Sequence, residues 1–374
     1  MAKIKIVFTG GGTAGHILPI LAIKKELEKL DKNQNLNFYY IGPKDNYINK
    51  IFSGENIKIK TIITGKIRRY FSILNIVDFF KFPIAFLQAM FYLFFISPDL
   101  VFSKGGYGSF FAALSARILH IPLFLHESDV VPGLANLIES KWALEVFTSF
   151  EKTEKISPSK IIWVGNPIRK DLLKIPKEGT QKVFGFEKER PLILILGGSQ
   201  GSEKINNTIL NIVEELSNEF EVLHQTGNLH FKKVKAEIEI VLSKDQKKHY
   251  HIYPFLDEKQ MAEALFVCDL VLSRAGSGAI FEITAFGKPS ILIPLANSAQ
   301  NHQLKNALEV FRAGAAELVA EENLKSHFLL EKIRHLIYNP ALLEVMKKNA
   351  LEFAKPEAGK IIASYIFEYL SFNF

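Results

Sequence analysis

Two glycine-rich turns, each directly after an apolar run, carry the residue types best suited to chemistry. The first is Thr9-Gly10-Gly11-Gly12-Thr13-Ala14-Gly15-His16, after Ile4-Lys5-Ile6-Val7-Phe8. The second is Gly197-Gly198-Ser199-Gln200-Gly201-Ser202, after Leu192-Ile193-Leu194-Ile195-Leu196. Each reads as a buried parallel strand, a turn and a helix N-terminus. Backbone N–H groups and the helix dipole there face an anion, typically a phosphate. His16 ends the first turn and is a candidate base, since neutral imidazole with a pKa of about 6.5 takes a proton from an attacking hydroxyl. A histidine that only binds phosphate or caps the helix fits the same position. No obvious base flanks the second turn. The asymmetry puts chemistry in one half and a phosphorylated donor in the other.

Other polar residues sit where strands are expected to end. Asp99 to Ser103 runs into Lys104-Gly105-Gly106-Tyr107-Gly108, and Pro122 to His126 runs into Glu127, with Asp129 just beyond. Glu127 and Asp129 compete with His16 for the role of base. Arg274-Ala275-Gly276-Ser277-Gly278 leads into a helix carrying Glu282. A carboxylate there accepts both ribose hydroxyls of a nucleotide, as acidic residues do in dinucleotide folds. The alternative, a solvated helix carboxylate, fits the flanking glycines and Ala285 less well. Arg169 suits a diphosphate that gains charge as it leaves, or else a surface position at an interdomain hinge. No Asp-x-Asp pair is placed as a nucleotide–metal site.

The elements that must position these residues alternate in one grammar. Strands are expected at Ile4–Phe8, Phe38–Ile41, Ile57–Ile63, Asp99–Ser103 and Pro122–Glu127, then at Leu192–Leu196, Glu221–Gln225, His251–Tyr253, Leu270–Ser273 and Ser290–Pro294, with helices between them. This is α/β throughout, with mostly parallel sheets. Ligands of such sheets gather at the strands' carboxyl ends. At 374 residues the chain suits two domains, doubly wound and facing across a cleft. The expected boundaries are 1–167, 168–350 and a terminal helix over 351–374. That helix packs back on the first domain or stays on its own.

Cys268 is the only cysteine, which excludes an internal disulfide and fits a reducing cytoplasm. No signal-peptide core follows the N-terminus. The net charge of +7 favours an acidic partner, but no zinc spacing or aromatic-interleaved basic cluster points to nucleic acid. One segment stands apart. From Phe82 to Pro98 there is no charge, and Phe71, Phe79, Phe80, Phe82, Phe86, Phe91, Tyr92, Phe94 and Phe95 crowd it and its approach. It is short of the roughly 20 residues of a membrane span. It is a buried crossover helix, or an interfacial patch with Lys66, Arg68, Arg69 and Lys81 at anionic headgroups.

The ordered set of motifs resembles the MurG family of glycosyltransferases over nearly the whole chain. It comprises the first glycine turn, Ser103-Lys104-Gly105-Gly106-Tyr107, His126-Glu127-Ser128-Asp129, Gly165-Asn166-Pro167-Ile168-Arg169, the second glycine turn, Arg274-Ala275-Gly276-Ser277, Asn301-His302-Gln303 and Asn306-Ala307. The resemblance implies the GT-B architecture of two Rossmann-like domains. It implies transfer of N-acetylglucosamine from UDP-N-acetylglucosamine to the muramyl 4-hydroxyl of lipid I, giving lipid II and UDP in peptidoglycan synthesis. The donor site it implies takes in Thr13, Ala14, Gly15, Asp129, Asn136, Arg169, Ser199, Gln200, Phe255, Leu256, Glu282, His302, Gln303 and Asn306. Within it Glu282 takes the ribose, Ser199 and Gln200 the diphosphate, the backbone of Phe255 and Leu256 the uracil, and Gln303 the sugar. His302 departs from forms with two glutamines, and Asn306 is a sugar contact or a plain helix residue. The acceptor diphosphate falls to Gly11, Gly12, Thr13, Gly105, Gly106 and Tyr107. The catalytic candidates remain His16, Glu127 and Asp129.

No fixed cofactor is expected; a divalent cation would be a stimulant only. The implied place is the cytoplasmic face of the cell membrane, with anionic inner-membrane lipids as partners and other cell-wall synthesis proteins as a further partner class. Rival readings are a glycolipid glycosyltransferase, a UDP-sugar 2-epimerase and a non-catalytic sugar-nucleotide-binding subunit. An NAD-dependent dehydrogenase is disfavoured, because neither turn is a clean G-x-G-x-x-G with an acidic residue after the second strand.

Overall fold

The structure is a computed structural model that describes residues 3–11, 14–65, 73–174, 184–186, 190–198 and 201–373. The chain divides into two units, Met1–Arg169 with Pro356–Phe374, and Lys170–Lys355.

The first unit holds strands β1 (Ile4–Thr9), β2 (Leu36–Pro43), β3 (Lys58–Ile62), β4 (Leu100–Ser103), β5 (Leu123–Glu127), β6 (Glu145–Thr148) and β7 (Ile161–Trp163). Its helices up to that point are α1 (Ala14–Leu30), α2 (Asn46–Ile51), α3 (Ile73–Ile96), α4 (Phe110–Ile118) and α5 (Leu134–Glu139). The strands form one sheet in the order β3-β2-β1-β4-β5-β6-β7. Every pairing is parallel. The central strands β1, β4 and β5 are largely buried and mostly apolar because helices cover both faces of a parallel sheet. Thr9 lies opposite both Ile41 and Ser103, and Ser103 opposite Leu125. β1 and β4 therefore end level, β2 and β5 run two residues further, and the turns that follow meet at one edge. β6 escapes the sequence reading because it is only four residues and opens on Glu145.

The second unit repeats the plan with β8 (Leu192–Leu196), β9 (Glu221–Gln225), β10 (Tyr250–Tyr253), β11 (Leu270–Ser273), β12 (Ser290–Leu292) and β13 (Ala316–Leu318). Its described helices are α6 (Glu203–Leu210), α7 (Val213–Glu219), α8 (Phe231–Val241), α9 (Glu258–Val267), α10 (Ser277–Ala285), α11 (His302–Arg312), α12 (Ser326–Ile337) and α13 (Pro340–Phe353). The sheet order is β10-β9-β8-β11-β12-β13, again all parallel. Leu196 lies opposite Gln225 and Ser273, so these ends too are level. β13 has three residues with Glu317 at its centre, too short for periodicity to reveal.

The chain then returns to the first unit. Helix α14 (Ala358–Asn373) lies against α1 and buries Ala358, Ile362, Ala363, Ile366 and Leu370 in the core built on Phe8, Ile20 and Phe102. Tyr365 and Tyr369 set their rings edge-on to Phe147 and Phe124, at 5.6 and 5.3 Å. Residues 351–353 are the last turn of α13 and go with the second unit.

Helix α3 is inverted relative to an ordinary surface helix. Ala85, Ala89, Leu93 and Ile96 face the core, whereas Phe80, Ile84, Leu87, Phe91, Phe94 and Phe95 are exposed, Phe80 by 70%. The exposed positions recur at steps of three and four, the spacing of one helix face. An entirely buried crossover helix is thus excluded for residues 80–96. Lys66, Arg68, Arg69 and Phe71 lie outside the described residues, as does the side chain of Phe79. Among the described residues no helix is long and apolar enough to cross a membrane.

Candidate active site

In the first unit, the turn after β4 depends on two glycines. Gly105 and Gly106 have φ of +81° and +86°, in the left-handed region that side chains rarely enter. A Cβ on Gly105 would sit 1.8 Å from Asn136 Oδ1, and one on Gly106 would sit 2.7 Å from the Gly11 carbonyl oxygen. The turn therefore packs directly under α5 and beside the first glycine turn. Asn136 joins three pieces. Its Oδ1 accepts from Gly106 N–H at 3.2 Å and its Nδ2 donates to Glu127 Oε2 at 2.7 Å. The other Glu127 oxygen accepts from Asp129 N–H at 2.9 Å.

Glu127 is 3% exposed. Burial and the neighbouring Asp129 charge push its carboxyl up to about 7, against the hydrogen bonds and Lys104. Lys104 is fully buried, and its ammonium donates to Ser128 Oγ. Burial lowers it to about 8 although Glu127 and Asp129 favour its charge. His126 donates Nε2–H to the Gly165 carbonyl at 3.0 Å, and burial followed by Lys104 holds it neutral. Under this layer Glu139 accepts from the Ser103 and Ser109 hydroxyls, and burial raises it to about 7.

His16 is half-buried on the first turn of α1, with Nδ1 3.3 Å from the Lys104 carbonyl. Only an Nδ1–H donates to a carbonyl, so this contact puts the acceptor lone pair on Nε2. That nitrogen faces the Gly106 turn, 3.2 Å from where a Cβ would stand. His16, Gly105, Gly106, Glu127, Asp129 and Asn136 are thus gathered at one edge. Tyr107 is half-buried beside them, its hydroxyl pKa raised by burial and then by Asp45. Gly11 is buried there with φ of +147°. Gly15 is exposed at the start of α1. Gly12 and Thr13 lie outside the described residues, as does the side chain of Ala14.

In the second unit, Ser199 and Gln200 lie outside the described residues. Their frame is clear. Gly201 has φ of +81°, and a Cβ there would meet the Thr226 carbonyl at 2.3 Å. Ser202 caps α6, accepting from Ile205 N–H at 3.3 Å. Arg274 reaches beneath this turn and donates to Ser202 Oγ at 2.6 Å, to the Ile293 carbonyl at 3.2 Å and to Glu321. Glu282 is half-buried on α10, behind an N-terminus where Gly276 and Gly278 face open space among the described residues.

Several expected donor contacts are engaged within the protein. Leu256 is 2% exposed and gives its N–H to Gln225 Oε1 at 2.9 Å, whereas Phe255 is exposed. Gln303 Oε1 accepts from Leu295 N–H at 3.0 Å. Asn306 is fully buried and donates to the Ala275 carbonyl at 3.4 Å, which makes it a tie between α11 and the turn after β11. His302 is half-buried at the start of α11, and Arg169 half-buried at the end of the first unit's main segment. Lys104, Glu139 and Glu321 escaped the sequence reading as site residues. Lys104 had a signal, a lysine pinned between a fully buried strand and two glycines. Among the described residues no three His, Cys, Asp or Glu side chains converge to hold a metal.

Two parallel-sheet units with polar clusters at their strand ends define a class, and comparison with known proteins agrees. Residues 6–148 match the glycosyltransferase family 28 N-terminal domain, and residues 192–361 its C-terminal domain. A protein of Caldicellulosiruptor saccharolyticus is 35% identical over 371 residues, 99% of each chain, and one of Clostridium kluyveri is 35% identical over 96% of this chain and 99% of its own. Both are named UDP-N-acetylglucosamine--N-acetylmuramyl-(pentapeptide) pyrophosphoryl-undecaprenol N-acetylglucosamine transferase. The chain belongs to this family, the MurG family of glycosyltransferases. The crystal structure of Acinetobacter baumannii MurG superposes with a TM-score of 0.73 at 24% identity, covering 98% of this chain and 99% of that one, so the fold is GT-B. A UDP-GlcNAc 2-epimerase of Neisseria meningitidis bound to UDP-GlcNAc reaches 0.68 at 20% identity over 98% of this chain and all of its own, a likeness of fold alone.

The buried carboxyl of Glu139 has a measurable consequence. Its folded pKa of about 7 lies above the unfolded value of 4.5. The folded state keeps the proton, so the group supports folding below pH 4.5 and withdraws that support as pH rises to 7. The withdrawal amounts to about 3 kcal/mol. Denaturant unfolding of wild type and Glu139→Gln at pH 5 and pH 8 checks it. The variant should gain about 2–3 kcal/mol on wild type between the two pH values; a difference independent of pH refutes the shift.

Proposed function

We propose that this chain transfers N-acetylglucosamine from UDP-N-acetylglucosamine to the muramyl 4-hydroxyl of lipid I, inverting the anomeric centre and releasing lipid II and UDP. The observation that carries this reading is 35% identity over 371 residues with an enzyme named for that transfer. The second unit takes the donor. Its phosphates lie at the turn after β8 and the N-terminus of α6, where the helix dipole favours negative charge. The ribose hydroxyls bond to Glu282, and Arg169 offsets charge on the leaving diphosphate. No fixed metal is needed in this scheme, and a divalent ion would act as a stimulant.

The first unit takes the acceptor, its diphosphate at the turns of Gly11 and of Gly105 and Gly106. His16 is the base. Its Nε2 takes the proton of the 4-hydroxyl as that oxygen bonds to the anomeric carbon, and the carbon's bond to the UDP oxygen breaks. Direct single displacement turns the α-linked donor into a β-linked product. Glu127 has both oxygens engaged and little exposure, so it positions Asp129 and Asn136 rather than meeting the sugar.

The exposed face of α3 supports a place at the membrane surface. Its rings seat at the acyl boundary, and anionic headgroups meet the neighbouring lysines and arginines. An acceptor carrying a lipid tail is then reached at headgroup level without extraction. The cytoplasmic face is the side that supplies a nucleotide sugar, and other cell-wall synthesis proteins are a further class of partner.

Incubating the purified chain with UDP-N-acetylglucosamine and a lipid I analogue tests the reaction. The expected products are UDP and a β-linked disaccharide; no disaccharide overturns the reading. In the same assay His16→Ala should lower kcat about 10²–10⁴-fold with little change in donor KM. A kcat within a few-fold of wild type would pass the role to Asp129. Liposome flotation tests the membrane face. Wild type should float with anionic vesicles and partly release at high salt. The Phe91→Ser, Phe94→Ser double variant should stay soluble while turning over a short-chain acceptor. Flotation equal to wild type would remove α3 from the lipid contact.

A further inference from the structure

The loop after β12 and the turn after β8 are joined by a side chain from neither. Glu321 lies just past β13 on a short turn, its side chain 16% exposed. One oxygen accepts from Ala296 N–H at 3.0 Å, in the loop between β12 and α11. The other is paired with Arg274, whose guanidinium also donates to Ser202 Oγ at 2.6 Å. Burial pushes the carboxyl pKa up, but the Ala296 and Arg274 hydrogen bonds outweigh it, and the group is held below the ordinary range. It is therefore charged at neutral pH, and both bonds are charge-assisted.

The loop needs such an anchor. Gln300 and Asn301 are consecutive non-glycine residues with φ of 53° and 54°. Left-handed conformations of this kind persist only where the surroundings hold them. The stretch is also tied by Gln303 to Leu295 N–H and by Ser298 Oγ to Gln303 N–H. These are bonds internal to the loop and its following helix. Glu321 supplies a described tie from this loop to the phosphate-facing turn.

We propose that Glu321 is a positioning residue for the nucleotide sugar. Through Ala296 it fixes the loop that leads into Gln303 at the start of α11, and through Arg274 and Ser202 it fixes the turn that faces the diphosphate. Sugar and diphosphate are then read at one fixed spacing. UDP alone uses the turn but not the loop, so the two ligands respond differently to loss of this link. The inference rests on reading the second unit as the donor site.

Calorimetric titration of the full chain with UDP and with UDP-N-acetylglucosamine tests it. In Glu321→Ala, Arg274 keeps Ser202 and the Ile293 carbonyl, so Kd for UDP should stay within about twofold of wild type. Kd for the sugar nucleotide should rise about tenfold, the loss of one charge-assisted hydrogen bond. In Glu321→Gln one acceptor oxygen remains for Ala296, and the rise should be about threefold. Equal weakening of both ligands marks a merely structural role and overturns the proposal, as does an unchanged ratio of the two constants. If Glu321→Ala binds no UDP because it fails to fold, Glu321→Gln decides, and a wild-type ratio there is the overturning result. Wild type binding neither nucleotide would instead overturn the donor-site reading and this inference with it.

Discussion

Charge held out of water at the ends of β4 and β5 is the constraint on which the first unit's chemistry depends. Lys104 and Glu127 are buried where an unpaired charge would cost several kcal/mol. The surroundings answer with specific partners: Ser128 for the ammonium, and Asn136 and the Asp129 amide for the carboxylate. These partners fix everything nearby. Asn136 also holds the Gly106 amide, and the close approach it makes excludes any side chain at Gly105. The Lys104 carbonyl in turn receives His16. A turn that looks like a simple phosphate cradle is therefore a backbone stretched over a buried polar layer.

The second unit solves the same problem with one guanidinium. Arg274 is nearly buried and ties a helix cap, a strand end and, through Glu321, a loop. Level strand ends make both arrangements workable. In the first sheet β1 and β4 end opposite each other, and in the second β8, β9 and β11 do, so side chains from separate elements converge on one edge. The apolar strands supply stability, and the polar side chains at their ends give it direction.

Much of this was legible in the sequence. Mostly apolar runs of five residues shortly before glycines, broken in the first only by Lys5, mark β1 and β8, because a buried parallel strand leaves little polar alternation. His16, Glu127 and Asp129 stand out as polar residues near the ends of such runs, and Glu282 as a carboxylate on the helix after a glycine turn. β6 and β13 were hidden by their length and by glutamates that tolerate a strand position. Glu321 was invisible for another reason. Its meaning comes from Arg274, 47 residues earlier in the chain, and no local pattern separates it from Glu322. Asn306, read as a sugar contact or a plain helix residue, is buried against the Ala275 carbonyl, because a helix asparagine serves a ligand or a backbone carbonyl equally well. The exposed face of α3 was half legible. Its aromatic content was plain, but which rings pack and which face outward depends on helical phase around Ala85, Ala89 and Leu93.

The central claim is that burial sets the proton affinity of the Glu127 layer. Difference infrared titration of the carboxyl band, wild type minus Glu127→Gln, measures it directly. The Glu127 carboxylate should form with a midpoint well above 4.5. A midpoint at the ordinary carboxyl value would contradict it, and would mean that Glu127 stands in water rather than in the polar layer described.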